Sequence, residues 1–378
     1  MARDVTMMVL PNDAPDAPPK FLLERDGVWR DLGSSPYGLK ISGIQEQIES
    51  TLASSMSAIV GGFAPPANWN PLSELYDELH NKLLPESVRN ELGEAAQGMA
   101  PGDAPVLRLH IDDRVEWIPW EILPLGNDLW GIHFQIARLP IVETGPDLSS
   151  KQPHQVSCIF NLLGQRVLEN EPVLYDAWDG MFSGLHIPTI ERFPKSANSH
   201  TMPASDDPTW PTVKSFEVAQ AADILHVTCH GGLCDEKTKV RFWTLNLTTA
   251  GLKWLQIVPS SVMGLDLRTR RPLVFGNACQ SSGAAGIGSS PGNLIAGFGP
   301  AFFRRGATAF IGTIAPIHHK IALEFASRFY ENLLTTNPRM TIAKALWKTK
   351  LYFRDAGTAD PTYLFYCLYG PPDTKFIV

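Results

Sequence analysis

His230 and Cys279 are the residues of this chain whose types and settings could do chemistry together. His230 is followed by Gly231-Gly232, and Cys279 stands in Asn277-Ala278-Cys279-Gln280-Ser281-Ser282-Gly283. A thiol attacks an amide only as the thiolate, and a neighbouring imidazole can take its proton and later return it to the leaving amine. A glycine after the histidine lets a backbone N–H approach a developing oxyanion, and the amide of the nucleophile itself is the natural second donor. The pattern therefore suits a cysteine peptidase with Cys279 as nucleophile and His230 as general base and then acid. The backbone amides of Gly231 and Cys279 are its expected oxyanion hole.

Both residues must be delivered by strands. Residues 223–229 (DILHVTC) and 272–278 (PLVFGNA) read as buried strands, so His230 and Cys279 sit just past their carboxyl ends, the edge where an open parallel sheet binds ligands. From residue 154 onward strand and helix patterns alternate: QVSCIFNLLG, PVLYDAWDGMFSGL, IPTIERF, TVKSFEVAQAA and DILHVTC, then PLVFGNA, NLIAGFGPAFFRR, ATAFIGTI, IALEFASRFYENLL, IAKALWKTKLYF and YLFYCLYG. That alternation predicts an α/β fold, a mostly parallel sheet with helices on both faces. Upstream, VLRLHID (106–112) and HFQIARLPIV (133–142) flank the aromatic segment WIPWEILPLG and are expected to pair at a sheet edge. Apolar residues at helical spacing over 72–92, with Pro85-Glu86 at a helix start, predict a helical N-terminal section interrupted by the Pro-rich breaks at 11–19 and 62–71. The expected organisation is a smaller helical and strand-bearing accessory section over 1–103 packed on a peptidase domain over 104–378, whose catalytic core is 154–378.

The 49 positions between His230 and Cys279 match the roughly 50 of the caspase pattern, whose local motif Q-A-C-x-G compares with Asn277-Ala278-Cys279-Gln280-Ser281 here. At this point the chain resembles the CHAT peptidases, caspase-like proteins of the same clan as separase. LHVTCHG, LVFGNACQSSG, LIAGFGPAFFRRGATAFIGTI, FASRFYENLL, IAKAL and YLFYCLYGPP follow the family's order, and IPWEILP resembles its upstream Pro-Trp-Glu element. The likeness runs from about residue 72 to the end and is strongest over 223–335. It implies a caspase-like fold and a cysteine endopeptidase that cuts a protein partner. It further implies activation by a sensor or partner protein and a role in bacterial defence or regulated cell death. The competing expectation is a catalytically silent interaction module; the intact His230, Gly231 and Cys279 argue against a pure scaffold.

Other readings of the same residues are weaker. Cys229, His230 and Cys234 are close enough in sequence to suggest zinc, but Cys229 and His230 face opposite ways on a continuing strand and no second ligand pair is nearby. No metal or cofactor is expected. The run GAAGIGSSPGN (283–293) lacks the GK[ST] and basic residue of a phosphate loop and reads as a flexible segment beside the nucleophile. His226 reads as a core residue, Glu121 as a structural carboxylate tied to a buried arginine or backbone amides, and Arg268, Arg270 and Arg271 as a solvated cluster. Lys plus Arg total 32 against 39 Asp plus Glu, a net charge of −7, which is the wrong sign for coating phosphate backbones. Nucleic acid is not an expected partner. The longest apolar stretch, 292–303, falls short of the ~20 residues of a spanning helix, so no membrane is expected. The apolar run 7–10 is cut by Pro11, and five widely spaced cysteines read as reduced thiols, so a cytoplasmic protein is the expectation.

The expected substrate pocket is built from Asn277, His318, His319 and Asp235. In separase-like members the turn after the strand matching ATAFIGTI carries Trp and aspartates that help hold a substrate arginine. Here that turn reads Ile314-Ala315-Pro316-Ile317-His318-His319, with neither. A basic residue before the scissile bond would lack its counter-charge, so a neutral residue is expected, and after it an acidic one held by His318 or His319. Asp235 and Glu236 are the carboxylates that could still reach the pocket. Both histidines could equally serve only to cap the helix beginning near Ile321. The polar connection 194–210 is an expected covering loop.

Overall fold

The computed structural model describes residues 4–10, 18–35, 83–97, 102–111, 115–116, 118–126, 128–141, 152–163, 180–182, 185, 187, 189–193, 220–233, 241–245, 255–257, 259–278, 297–315, 317–336, 338–358 and 360–378. In chain order the elements begin with β1 (Val5–Leu10), β2 (Lys20–Arg25), β3 (Val28–Ser34), helix α1 (Glu86–Ala96) and β4 (Val106–Ile111). Next come a 3-10 turn (Trp120–Ile122), β5 (Pro124–Leu125), β6 (Asp128–Leu129), α2 (Trp130–His133), β7 (Gln135–Pro140), β8 (His154–Gln155), β9 (Cys158–Leu163) and β10 (Thr189–Phe193). These are followed by β11 (Ile224–Thr228), β12 (His230–Leu233), β13 (Arg241–Leu245), β14 (Leu255–Ile257), α3 (Pro259–Val262), β15 (Leu273–Asn277), α4 (Phe298–Arg304) and β16 (Ala309–Thr313). The chain closes with α5 (His319–Tyr330), a π-helical turn (Glu331–Thr335), α6 (Ile342–Asp355), a 3-10 turn (Pro361–Phe365), β17 (Tyr366–Tyr369) and β18 (Phe376–Ile377).

Among the described residues eleven strands form one sheet, in the order β10-β9-β11-β15-β16-β17-β7-β4-β1-β2-β3. The strands β10 to β16 run parallel, β17 pairs antiparallel with β16, and β17, β7, β4 and β1 are again parallel to one another. The continuous apolar strands β11, β15, β16 and β17 are buried along their whole length, as covering of both sheet faces requires. Alternation divides them between two cores. Ile224, Leu273, Phe275 and Ile311 pack with Phe325, Phe329, Leu346 and Phe353 of α5 and α6, while Leu225, Val227, Val274 and Phe310 pack with Phe298 and Phe302 of α4. This is the expected mostly parallel α/β sheet with helices on both faces.

Two expectations change in detail. β4 and β7 do pair, in parallel, but in the sheet interior, because β1 adds on the outer side of β4 and β17 on the other side of β7. The N-terminal residues contribute β1–β3 to the sheet itself as well as α1, whose Val88 and Leu92 join the core. α1 starts at Glu86 after Pro85, as its sequence indicates. The segment YLFYCLYG splits: Asp360 caps a 3-10 turn by accepting from the Thr362 N–H, and the strand begins only at Tyr366. Gly370 shows why that strand must end in glycine. It holds φ +125°, and a Cβ there would meet the Thr308 carbonyl oxygen at 2.6 Å.

Candidate active site

β11 and β15 are neighbouring parallel strands in a register that sets Thr228 opposite Asn277. His230 lies two residues beyond Thr228, and Cys279 two residues beyond Asn277 in sequence. Adjacent strands lie about 4.8 Å apart, so the two chain segments leave the sheet side by side at the same carboxyl edge. Pairing persists past the formal strand ends, since the Cys229 N–H donates to the Asn277 carbonyl at 3.4 Å. β11 does not run on through His230. It stops at Thr228, Cys229 is buried, and His230 opens β12, where it is opposite Thr244 with Gly231 opposite Trp243 in a small antiparallel sheet β12-β13-β14. The face argument against a zinc site assumed a continuing strand and does not apply as stated.

Cys279, Asp235, Glu236 and Cys234 lie outside the described residues, as do the loop 194–210 and the glycine-rich run 283–293. Cys229 and Cys367 are buried and Cys158 is partly buried. Among the described residues no three His, Cys, Asp or Glu side chains gather as a metal-holding group, and no helix is long and apolar enough to cross a membrane.

The two residues leading into Cys279 are tied down by side chains from other elements. Asn277 is buried; its Nδ2 donates to the Ala322 carbonyl of α5 at 3.3 Å and its Oδ1 accepts from the Tyr366 hydroxyl of β17 at 2.7 Å. Thr313, at the end of β16, donates through Oγ1 to the Ala278 carbonyl at 2.6 Å. Asn277, an expected pocket residue, has both ends of its amide engaged in this conformation. Sequence reasoning missed Thr313 and Tyr366; the only signal was a hydroxyl at the end of an otherwise apolar strand.

His226 is a core residue, as expected. Its Nδ1 is 3.0 Å from the Tyr330 hydroxyl and its Nε2 3.0 Å from Thr228 Oγ1, with Phe182 and Phe275 around the ring. Burial pushes its pKa down to about 3, so the ring is neutral at ordinary pH, and burial likewise raises the Tyr330 phenol.

His318 occupies the N-cap position of α5, yet its side chain makes no capping bond. Its Nδ1 faces Asp360 Oδ2 at 3.2 Å instead, and its N–H donates to Thr362 Oγ1 at 3.0 Å. The turn that carries no carboxylate of its own is therefore clipped to one from the chain ahead of β17. His319, the first residue of α5, packs its ring 4.7 Å from that of His318.

Glu121 is structural, as expected. With Arg138 it forms an ion pair that excludes solvent: Arg138 Nε donates to Glu121 Oε1 at 3.0 Å and its Nη2 to Glu121 Oε2. The remaining guanidinium donors reach the Glu116 and Ile118 carbonyls and the Tyr369 hydroxyl. Burial is the largest single influence and opposes the charge of Arg138, but Glu121, together with Tyr369 and Cys367, more than offsets it and holds its pKa well above the ordinary value. Of the arginine cluster, Arg270 pairs with Asp223, which also accepts from Ser157 and Cys158 N–H groups at the amino ends of the strands, remote from the carboxyl edge.

The CHAT domain family model matches residues 73–364. Saccharomyces cerevisiae separase, solved in complex with securin, is similar over 99% of this chain and 30% of its own, at 11% identity and a TM-score of 0.55. The Arg-specific cysteine proteinase gingipain R matches at 13% identity with a TM-score of 0.48, covering 78% of this chain and 69% of its own. Porphyromonas gingivalis RgpB, as a complex of pro- and mature domains, matches at 12% identity with a TM-score of 0.49, covering 80% and 72%. The chain thus spans about a third of the separase chain to which it is similar. No curated protein matches the sequence significantly.

Proposed function

Because the chain belongs to the CHAT domain family and has a caspase-like fold, we propose that it is a cysteine endopeptidase working through Cys279 and His230. The observation that carries this reading is the register of β11 and β15, which gives both residues the same two-residue reach from one sheet edge. In this reading His230 takes the proton of the Cys279 thiol and the thiolate sulfur attacks the scissile carbonyl carbon. The Gly231 and Cys279 amides receive the oxyanion. Collapse of the intermediate breaks the C–N bond as His230 protonates the leaving amine. Water, deprotonated by His230, then attacks the thioester carbonyl and frees the thiol.

The substrate is a protein, and a neutral residue before the scissile bond suits the site best. Among the described residues Asp360 is the carboxylate bound to the turn, with one oxygen on the Thr362 N–H and the other facing His318, so an arginine held there would have to share it with both partners. The same contact disfavours an acidic residue at His318, which would have to displace Asp360. Activation by a sensor or partner protein, and a place in defence or regulated cell death, are part of this reading and rest on the family likeness alone. The test is incubation of the wild type, Cys279→Ala and His230→Ala with proteins encoded beside it, with new N-termini sought by mass spectrometry. Fragments made by the wild type and by neither variant are expected. A fragment that persists in Cys279→Ala refutes the assignment, and absence of any fragment with every tested protein and partner favours a silent interaction module.

A further inference from the structure

Resting on the reading of Cys279 as nucleophile, we propose that Thr313 is a positioning residue for the oxyanion site: its hydroxyl, bound to the Ala278 carbonyl, aims the Cys279 N–H. The carbonyl of Ala278 and the amide of Cys279 belong to one peptide unit, which is planar and trans, so its C=O and N–H point in opposite directions. Holding the oxygen therefore sets the direction of the hydrogen. Thr313 is fully buried, and its Oγ1 donates to that oxygen at 2.6 Å.

The bond lies where the sheet stops supplying order. The β15–β16 ladder runs from Leu273 opposite Ala309 to Phe275 opposite Ile311. Two residues further, the Thr313 side chain takes over from the backbone. The residue before is equally restrained, by Cys229 on the Asn277 carbonyl and by Tyr366 and Ala322 on its side chain. Four separate elements thus converge on the two residues that precede the nucleophile. A donor aimed before the reaction costs no reorganisation when charge develops. Hydrogen bonding to the carbonyl also polarises the peptide and strengthens its N–H as a donor.

A merely structural hydroxyl and an oxyanion-aiming one are separated by two small probes that need no knowledge of the substrate. p-Nitrophenyl acetate transfers its acetyl group to the thiolate: sulfur bonds to the carbonyl carbon, negative charge passes through the carbonyl oxygen, and p-nitrophenolate leaves. Iodoacetamide alkylates the thiolate at its methylene carbon, sulfur displacing iodide, with no oxyanion. Both reactions are followed on the full chain at the Cys279 peptide by quenching and mass spectrometry, with Cys279→Ala as blank. Thr313→Val is expected to slow acylation about tenfold or more, since loss of an oxyanion donor costs roughly 10²–10³ and here the donor is misdirected rather than removed. Alkylation should stay within about twofold, and Thr313→Ser should restore most of the acylation rate. If Thr313→Val does not fold by circular dichroism, Thr313→Ala is read the same way. Equal loss of both reactions, loss of neither, failure of Thr313→Ser to rescue, or failure of both hydroxyl-free variants to fold would overturn the proposal. A fragment that persists in Cys279→Ala in the cleavage test would remove the nucleophile reading, and this inference with it. An activated wild type with an unchanged ratio in Thr313→Val removes this inference alone.

Discussion

Replacing Glu121 by leucine should be among the costliest single changes in this chain. Arg138 is fully buried and its guanidinium donors all have partners, two of them on the Glu121 carboxylate. Glu121→Leu leaves a buried cation with two orphaned donors, and breaking a buried pair in this way costs about 3–5 kcal/mol, or two to four decades in the folding equilibrium. Native domains have only about 5–15 kcal/mol in total. Arg138→Met leaves the opposite orphan and should cost a similar amount. The double variant removes both charges, so it should lie at least about 2 kcal/mol above the sum of the singles, while still losing the donors to Glu116, Ile118 and Tyr369. Urea unfolding read by far-ultraviolet circular dichroism and tryptophan fluorescence measures the cycle. Trp120 and Trp130, with ring centroids 5.9 Å apart in the segment that carries Glu121, report locally. Single variants that each lose less than about 1 kcal/mol, or a double variant that is simply additive, would show that the pair is not the closed, solvent-free unit described above.

Three further outcomes are expected. Lys350 is buried and its pKa is lowered by that burial from 10.5 to about 8. Its penalty is therefore present in full below about pH 8, and stability should rise by up to about 3 kcal/mol as pH climbs from there toward 10.5. Lys350→Met should be more stable than the wild type at pH 7 and lack that rise in its urea midpoint; an identical rise in the variant would refute it. His226 has the complementary acid limb. Its folded pKa of about 3 against 6.5 means that the unfolded chain binds the extra proton between those values, so stability falls by up to about 5 kcal/mol as pH drops through them. His226→Gln should be less stable at pH 7.5 but flatter below pH 6.5, and an unchanged slope counts against the buried neutral ring. For substrate choice, mapping the cut by mass spectrometry should find a neutral residue before the scissile bond, and an Arg or Lys there would show that Asp360 or the segment holding Asp235 is open to substrate.

Much of this protein is legible in its residues because local signals and the global fold agree. The apolar runs ILHVT, LVFGN and AFIGT are buried strands wherever they fall, since only a doubly covered sheet accepts them. Pro85-Glu86 starts a helix for reasons internal to its first turn. Even the burial of Glu121 beside an arginine could be expected, because a carboxylate among tryptophans has few other ways to exist. What the sequence could not contain is which distant atoms meet. No local pattern puts β17 between β16 and β7, draws β1 onto the side of β4, or stops β11 at Thr228, two residues before His230. Strand order depends on competition among many pairings of similar local propensity, and it is resolved only by packing of the whole sheet. The same holds for hydrogen bonds made by side chains. Thr313 on Ala278, Tyr366 on Asn277 and Asp360 on His318 join residues 35, 89 and 42 positions apart. Their partners were chosen by the tertiary arrangement, because a buried polar group takes whichever complementary atom the packed core brings within reach.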